Sequence, residues 1–247
     1  MQRYFVDRDQ IKENQIIIVG DDVHHIRNVM RFRKGANIVC VDGQGNDYLT
    51  EIVELAKEAV QCQIIKMMPS TGEAKLKIAL AQALPKGDKW EWILQKGTEL
   101  GVTTFYPFMS ERTLVKIRPE KLAKKQIRWK RIVKEAAEQA HRGIIPEIYP
   151  PLHWDAFLSL LKKQSNAWIA YEKGGKPFRT CLEGQPDQSS ALLIIGPEGG
   201  FSPVEIEEAK KAGAIPVTLG PRILRTETAS IVGLSCLLYA HGELGGE

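Results

Sequence analysis

Two glycine turns in the last third of the chain each follow a short apolar run and lead into a helical pattern. The first turn, 196–200, follows the run 191–195, and the second, at Gly220, follows the run 215–219. A buried strand, a turn and a helix in this order are typical of an α/β sheet. Because ligands of open α/β sheets bind beyond the carboxyl ends of the strands, we expect both turns to flank one pocket.

The first turn has the glycines of a ligand-binding loop but lacks the signature of a phosphate site. Glycines permit positive φ angles and close approach of the backbone to a ligand. The helix after the turn is predicted to begin with Ser202 as N-cap, Pro203 in the first helical position and Glu205 completing a capping box. GxGxxG and Gly-Lys-Ser/Thr fingerprints are absent, and the charge of Glu198 also disfavours a phosphate. The alternative interpretation is a plain connection without a ligand.

The second turn combines two arginines, a carboxylate and two hydroxyls. Thr226 or Thr228 is expected to cap the helix that follows. Arg222 and Arg225 stand at the positive end of that helix, where cations are unfavourable, so an anionic partner is expected. The helix itself, 229–240, is apolar nearly all round, which predicts burial in a core or against another subunit.

A strongly basic segment lies in the middle of a chain whose formal net charge is only +4. From Arg112 to Lys134, ten lysines and arginines accompany a single acidic residue, Glu120. Such a run is commonly the solvated face of a helix, here expected over about 120–142. Trp129 within the run favours contact with a polyanion, because bases stack on aromatic rings between phosphate-binding cations.

The four cysteines are isolated and have no histidine at metal-binding spacing. We therefore expect no metal site, no disulfide framework and a reducing, cytoplasmic location. The first residues contain no apolar signal segment, and no stretch of the sequence is long and apolar enough to span a bilayer. No membrane partner is expected.

Short β-branched runs separated by glycine turns dominate the start of the chain, which predicts a small β-barrel domain over 1–70. This domain is also expected to contain a short helix with Ile26, Val29 and Met30 on its apolar face. Beyond a linker-like segment, strand-like and helical runs alternate. This alternation predicts a second domain over 74–247, with a mostly parallel sheet covered by helices. The expected fold class is therefore α/β with an N-terminal β-barrel.

Together these motifs resemble those of the RsmE family of 16S ribosomal RNA methyltransferases, which form N3-methyluridine and belong to the SPOUT class with its trefoil knot. The resemblance covers the full chain. It is carried by IGPEGGF at 195–201, LG at 219–220 and ILRTETA at 223–229, with support from Lys86-Gly87, 95–101, 110–112, and 135–139 followed by Arg142. The region from His25 to Gly35, followed by 42–45, resembles the family's PUA-like RNA-binding barrel.

The resemblance implies a knotted, mostly parallel SPOUT sheet in the C-terminal domain and S-adenosylmethionine as cofactor. It also implies a homodimer that acts on 16S ribosomal RNA of the small ribosomal subunit. The expected cofactor-binding residues lie near one strand end and in the two turns: Tyr171, Glu172, Ile195, Gly196, Pro197, Glu198, Gly199, Gly200, Leu219, Gly220, Leu224, Arg225, Thr226, Thr228 and Ala229.

Methyl transfer to uridine N3 requires loss of the N3 proton, and the developing negative charge is shared with the two carbonyl oxygens of the ring. The site therefore needs a proton acceptor and a cation near the carbonyls. Arg225 is the candidate cation and Glu227 the candidate acceptor, although Glu227 also suits a structural role beside Arg225 or at the helix start. His24 and His25 are expected to contact RNA or to pack in the N-terminal domain. The other expected RNA contacts are Arg27, Arg31, Lys86, Arg112, Arg128 and Arg142.

Two other functions are compatible with the sequence. The same scaffold in a related enzyme modifies another RNA, such as transfer RNA, and fold alone does not fix the substrate. A non-catalytic RNA-binding factor of ribosome assembly is the second alternative. The two ligand-type loops disfavour it, because a pure RNA binder has no evident use for both.

Overall fold

The computed structural model describes residues 1–115, 118–183 and 189–245. They form two compact units. The first comprises Met1–Glu73 with Lys134–Ile145, and the second comprises Ala74–Val133 with Pro146–Glu247. The segment 134–145 therefore packs with the N-terminal strands, which no pattern in the sequence indicated.

The first unit is a curled five-stranded sheet. Its strands are β1 (Arg3–Phe5), β2 (Gln15–Val19), β3 (Asn37–Val41), β4 (Asn46–Leu55) and β5 (Ala59–Pro69); its short helices are a 3₁₀ turn (Arg8–Gln10), α1 (Asp21–His24) and a π-helical turn (His25–Val29). The strand order is β1-β3-β4-β5-β2, with β1 parallel to β3 and the other neighbours antiparallel. Two register shifts interrupt the long β4–β5 pair, and such bulges bend strands. The expected N-terminal β-domain is thus confirmed, as a half-barrel.

The short helix of this unit differs from the prediction. Ile26 is fully buried, but Val29 and Met30 are 58% and 40% exposed. The helix widens into a π-helical turn, in which the amide of Met30 donates to the carbonyl of His25 at 2.9 Å. Because more residues complete this turn than in an α-helix, Val29 and Met30 leave the face that Ile26 presents to the core. The predicted apolar face was wrong for these two residues.

The second unit is an α/β layer structure around a sheet in which every strand pair is parallel. Its strands are β6 (Lys77–Ala83), β7 (Val102–Met109), β8 (Glu147–Ile148), β9 (Leu152–His153), β10 (Ala167–Ala170), β11 (Lys176–Pro177), β12 (Ser190–Ile195) and β13 (Ile215–Thr218). The strand order is β11-β13-β10-β12-β6-β7-β8, and β9 also pairs with β7. Its helices are α2 (Lys89–Glu99), α3 (Pro119–Gln139), α4 (Trp154–Leu161), α5 (Phe178–Leu182), α6 (Pro203–Lys211) and α7 (Thr226–Ala240); α3 runs into the first unit at Lys134. The predicted parallel sheet covered by helices is confirmed.

Alternate residues of the central strands supply two separate cores, one on each face of this sheet. In β12, Leu193 and Ile195 pack with side chains of α2, α3 and α7, whereas Leu192 and Ile194 pack with those of α4 and α6. Strands buried on both faces read as continuous apolar runs, which is why β12 was recognisable in the sequence.

Trp129 of the basic segment belongs to the first of these cores. Its side chain is 2% exposed and packs edge-on against Trp90, with ring centroids 5.9 Å apart. The expectation that Trp129 stacks on nucleic-acid bases was therefore wrong. Most of the cations around it, such as Lys121, Lys124 and Lys130, lie on the exposed face of α3. No helix among the described residues has the length and apolar character needed to cross a membrane.

Candidate cofactor site

Three loops of the second unit meet because their strands are neighbours in the sheet. β10 lies between β12 and β13, so the chain leaves all three strands at the same edge. We call the segments that follow the β10 loop (171–175), the β12 loop (196–202) and the β13 loop (219–225). Together with the start of α7 they enclose a cavity of about 970 Å³. This volume is in the range of small-molecule and cofactor sites.

The cavity brings together almost all residues that the sequence indicated for the cofactor. Of these residues, Tyr171, Glu172, Ile195, Gly196, Pro197, Glu198, Gly199, Gly200, Leu219, Gly220, Leu224, Arg225, Thr226 and Ala229 line it. Thr228 is exposed and is not part of the lining. Of the two candidate catalytic residues, Arg225 lines the cavity and Glu227 lies beside it, in contact with the lining residue Lys89.

The β12 loop is a tight turn that needs its glycines. The amide of Gly200 donates to the carbonyl of Pro197 at 2.9 Å, and Gly200 has a φ of +65°. A side chain at Gly199 would come within 3.2 Å of the Cβ atom of Arg112. Arg112 also donates from Nη1 to the carbonyl of Gly199 at 3.0 Å. Arg112 therefore supports the loop from outside the cavity.

A single lysine connects the β12 loop to the start of α7. Lys89 Nζ lies 3.2 Å from an oxygen of Glu198 and 3.4 Å from an oxygen of Glu227. Burial alone would raise the pKa of Glu198, but the backbone amides of Glu198 and Lys86 and the ammonium of Lys89 outweigh it and hold this pKa below its usual value. Glu227 therefore pairs with Lys89, whereas one of the structural roles expected from the sequence placed it beside Arg225.

The sequence predicted the start of one helix at the site correctly and the capping of the other incorrectly. Ser202, Pro203 and Glu205 form the predicted capping box at the start of α6. The N-cap of α7 is Arg225, without a capping side chain, so the expected caps Thr226 and Thr228 were wrong. Thr226 is instead buried, and its hydroxyl donates to the carbonyl of Gly196 at 2.6 Å. Thr226 thus joins α7 to the β12 loop.

Several lining residues were missed by the sequence reasoning. The glycine pair after β10 is the same strand-and-turn signal that identified the other two loops, and it would have found the β10 loop. Arg222 was noted as a cation of the second turn but was not assigned to the cofactor. The additional lining residues are Lys89, Ala170, Gly174, Gly175, Pro177, Phe201, Thr218, Pro221, Arg222 and Ile223.

The candidate RNA contacts lie in different surroundings. In the first unit, Arg31 is exposed and has a φ of +53°, and Arg27 donates to the carbonyl of Ala56 at 3.0 Å. In the second unit, Lys86 is exposed, and Arg128 is exposed and paired with Glu91.

Arg142 does not belong with these exposed cations. Its side chain is 1% exposed, and it donates from Nε and Nη2 to the two carboxylate oxygens of Glu73 at 3.2 and 2.6 Å. A buried guanidinium bound to a carboxylate in this way holds two chain segments together. The expectation that Arg142 contacts RNA is corrected on this ground.

Two known domain families match successive parts of the chain. An RNA methyltransferase domain matches residues 72–238, and an RNA methyltransferase PUA domain matches residues 18–65. Ribosomal RNA small subunit methyltransferase E of Bacillus subtilis is 39% identical over the full length of both chains. The enzyme of the same name from Mesomycoplasma hyopneumoniae is 36% identical over 94% of this chain and 96% of its own.

A solved structure shows the same likeness in three dimensions. Ribosomal RNA small subunit methyltransferase E of Neisseria gonorrhoeae, bound to S-adenosylmethionine, superposes with a TM-score of 0.85 at 30% identity, over 97% of each chain. The resemblance seen in the motifs around the cavity therefore extends to the whole sequence and to the whole fold, and the chain belongs to the ribosomal RNA small subunit methyltransferase E family.

Proposed function

We propose that this protein transfers the methyl group of S-adenosylmethionine to N3 of a uridine in 16S ribosomal RNA. The observation that carries the proposal is the cavity at the ends of β10, β12 and β13, in a chain whose family includes a member bound to that cofactor. We further propose 1–70 as the RNA-binding domain, 74–247 as the methyltransferase domain, and the cytoplasm, where ribosomes are made, as the compartment.

The cavity lining suits S-adenosylmethionine better than a phosphorylated nucleotide. Ile195, Leu219 and Leu224 offer an apolar wall for adenine and for the methionyl chain. Glu172 and Glu198 offer carboxylates for hydroxyl groups and for a positive charge, and Arg222 and Arg225 offer cations for the carboxylate of the methionyl chain. Glycines of all three loops also line the cavity, and glycine allows backbone peptide groups to approach a ligand closely. When bound, the cofactor supplies an electrophilic methyl carbon.

Two side chains at the start of α7 carry the proposed chemistry. Arg225 is exposed and lines the cavity, so its guanidinium is free to face the carbonyl oxygens of uracil as negative charge develops there. Glu227 is the proposed proton acceptor for N3. Its Oε2 atom is buried and has no hydrogen-bond partner among the described residues, and it lies 3.4 Å from Lys89 Nζ. A substrate N–H group would supply the missing donor.

We propose that the RNA is held by cations of both units. Arg27 and Arg31 would serve in the first unit, and Lys86, Arg112 and Arg128 in the second. Lys86 and Arg112 contact the β12 loop through a backbone amide and a side chain, respectively, so both lie near the cofactor cavity. RNA held there would present a base close to Arg225 and Glu227. We also propose that the protein acts as a homodimer on the RNA of the small ribosomal subunit.

Two measurements test this function. Calorimetric titration with S-adenosylmethionine is expected to show one binding site per chain, and a protein that binds no cofactor would be a non-catalytic RNA-binding factor. Nucleotide mapping of RNA from a strain that lacks the gene is expected to show the loss of one N3-methyluridine in 16S ribosomal RNA. Loss of a modification from transfer RNA instead would assign the enzyme to the other substrate.

A further inference from the structure

We propose that Gln82 is a positioning residue that sets the distance between two walls of the cofactor cavity. This inference rests on the proposed function, because it concerns the geometry of the proposed cofactor site. Gln82 lies on β6 beside Ile195, the last residue of β12 and the one directly before the β12 loop. Its side chain is fully buried and does not line the cavity.

The amide group of Gln82 begins a chain of hydrogen bonds that reaches both walls. Its Nε2 atom donates to the hydroxyl of Thr226, in the first turn of α7, at 2.9 Å. That hydroxyl in turn donates to the carbonyl of Gly196 in the β12 loop at 2.6 Å. The second Nε2 proton is directed to the carbonyl of Ala83 at 2.9 Å. One side chain thus fixes α7 relative to the loop.

The other end of the amide is fixed as well. The hydroxyl of Ser230, one turn further along α7, donates to Oε1 of Gln82 at 2.5 Å. Ser230 is also fully buried. Because Oε1 is occupied by this donor, the amide of Gln82 is oriented with its Nε2 protons toward Thr226. Each polar atom of Gln82 therefore has a partner, and the network joins Gln82 to two successive turns of α7.

Stability alone does not explain a glutamine at this position. The neighbouring inward side chains of the same strand face, Leu80 and Leu84, are apolar and belong to the core that packs against α2 and α7. An apolar side chain of similar size would fill the same space without the cost of burying an amide. The directional hydrogen bonds of the amide instead hold together segments that are far apart in the sequence. Gly196 and Thr226 are 114 and 144 positions away from Gln82. No local turn holds them together.

The test replaces Gln82 by methionine, which has a similar length and no amide. For Gln82→Met we expect the dissociation constant for S-adenosylmethionine, measured by calorimetry, to rise about tenfold. We also expect faster amide hydrogen exchange in residues 196–200 and 226–230 of the cofactor-free protein. Thr103→Val is the matched control, because Thr103 donates to the carbonyl of Ile78 near the opposite end of β6. It is expected to change neither cofactor affinity nor exchange in the two segments.

Three outcomes decide the proposal. Unchanged affinity and unchanged exchange in Gln82→Met would make Gln82 an ordinary core residue and overturn it. If Gln82→Met does not fold, Ser230→Ala removes the donor to Oε1, together with the contact of the same hydroxyl with the carbonyl of Thr226. We expect this variant to weaken cofactor binding about threefold; unchanged affinity would again overturn the proposal. If the unaltered protein binds no S-adenosylmethionine, the proposed function fails, and exchange in the two segments still tests the role of Gln82.

Discussion

At the scale of single residues, Glu227 has the surroundings expected of a proton acceptor in a catalytic site. Its side chain is 19% exposed, so water reaches it only partly. One carboxylate oxygen is buried and has no hydrogen-bond partner among the described residues. The same oxygen is paired with Lys89 Nζ at 3.4 Å, so its charge is compensated while the described residues leave its hydrogen-bonding capacity unused. Such a group is accounted for when the substrate supplies the missing donor, and Lys89 keeps the carboxylate in place meanwhile.

The variant Glu227→Gln tests this role directly. We expect kcat to fall at least about a hundredfold, because a positioned general base contributes on that order or more. Calorimetry should show unchanged affinity for S-adenosylmethionine. Glu207→Gln, which neutralises a solvent-exposed carboxylate on α6, is the matched control. An unaltered kcat in Glu227→Gln would leave Glu227 a purely structural residue.

Residue types were predicted better than residue surroundings. Trp129 was expected to contact RNA because a basic run with an aromatic ring is typical of nucleic-acid contacts, and Arg142 was expected to contact RNA as well. The structure buries both, one against Glu73 and the other against Trp90. A helix pattern specifies which positions share a face, but it does not specify which other segment will cover that face. Glu73, the partner of Arg142, is 69 positions away in the sequence.

At the scale of elements, the β12 loop is held by charge as well as by backbone geometry. Glu198 accepts from the backbone amide of Lys86 at 3.1 Å and pairs with Lys89. Both contacts favour the ionised carboxylate, and the pKa of Glu198 is lowered although burial opposes the shift. A carboxyl group with a lowered pKa in the folded state contributes stability while it is ionised. Because Lys89 also pairs with Glu227, it connects the β12 loop to the first turn of α7.

For Glu198→Gln we expect a loss of about 1 kcal/mol in the free energy of unfolding at neutral pH. The difference from the unaltered protein should be complete above the unfolded carboxyl pKa, about 4.3, and should vanish as the pH falls through the lower pKa of the folded state. Urea unfolding measured at pH 7 and at a series of lower pH values follows this change. Glu183→Gln, in an exposed ion pair at the end of α5, should have no such pH-dependent effect. A pH-independent loss in Glu198→Gln would exclude the charge contribution.

Elements defined by neighbouring residues were predicted well, and those defined by distant partners were not. The capping box of α6 depends on Ser202 and Glu205, three positions apart, and it was read correctly. The start of α7 depends on Gln82 and Gly196, which hold the Thr226 hydroxyl away from a capping position. Nothing local distinguishes a threonine that caps a helix from one that bonds to another loop. The role of Gln82 was not predictable for the same reason, because its partners are distant in the sequence.

At the scale of the whole molecule, the alternation of strands and helices was sufficient to predict the parallel sheet and its ligand edge. The strand order β13-β10-β12-β6 was not predictable, because it depends on pairings between segments far apart in the sequence. The inclusion of 134–145 in the first unit has the same origin. The trefoil knot stays a prediction of the family resemblance, since no local pattern encodes the threading of a chain.

The last prediction concerns the homodimer and the outer side of α7. Leu234 and Leu237 of this helix are buried in the core, whereas Tyr239 is 71% exposed. A helix that is apolar on its exposed side as well is typical of a subunit contact. Sedimentation equilibrium is therefore expected to give twice the chain mass of 27.7 kDa. Tyr239→Glu should give the single-chain mass, because association would bury an unpaired carboxylate.

Val204→Glu is the matched control for this prediction, because Val204 is a comparably exposed apolar residue on α6. It should leave the dimer intact, since α6 is not the proposed contact. A single-chain mass for the unaltered protein would contradict the homodimer itself. A dimer that persists in Tyr239→Glu but dissociates in Val204→Glu would show that the contact lies on α6 and not on α7. The two variants therefore separate the existence of the dimer from its location.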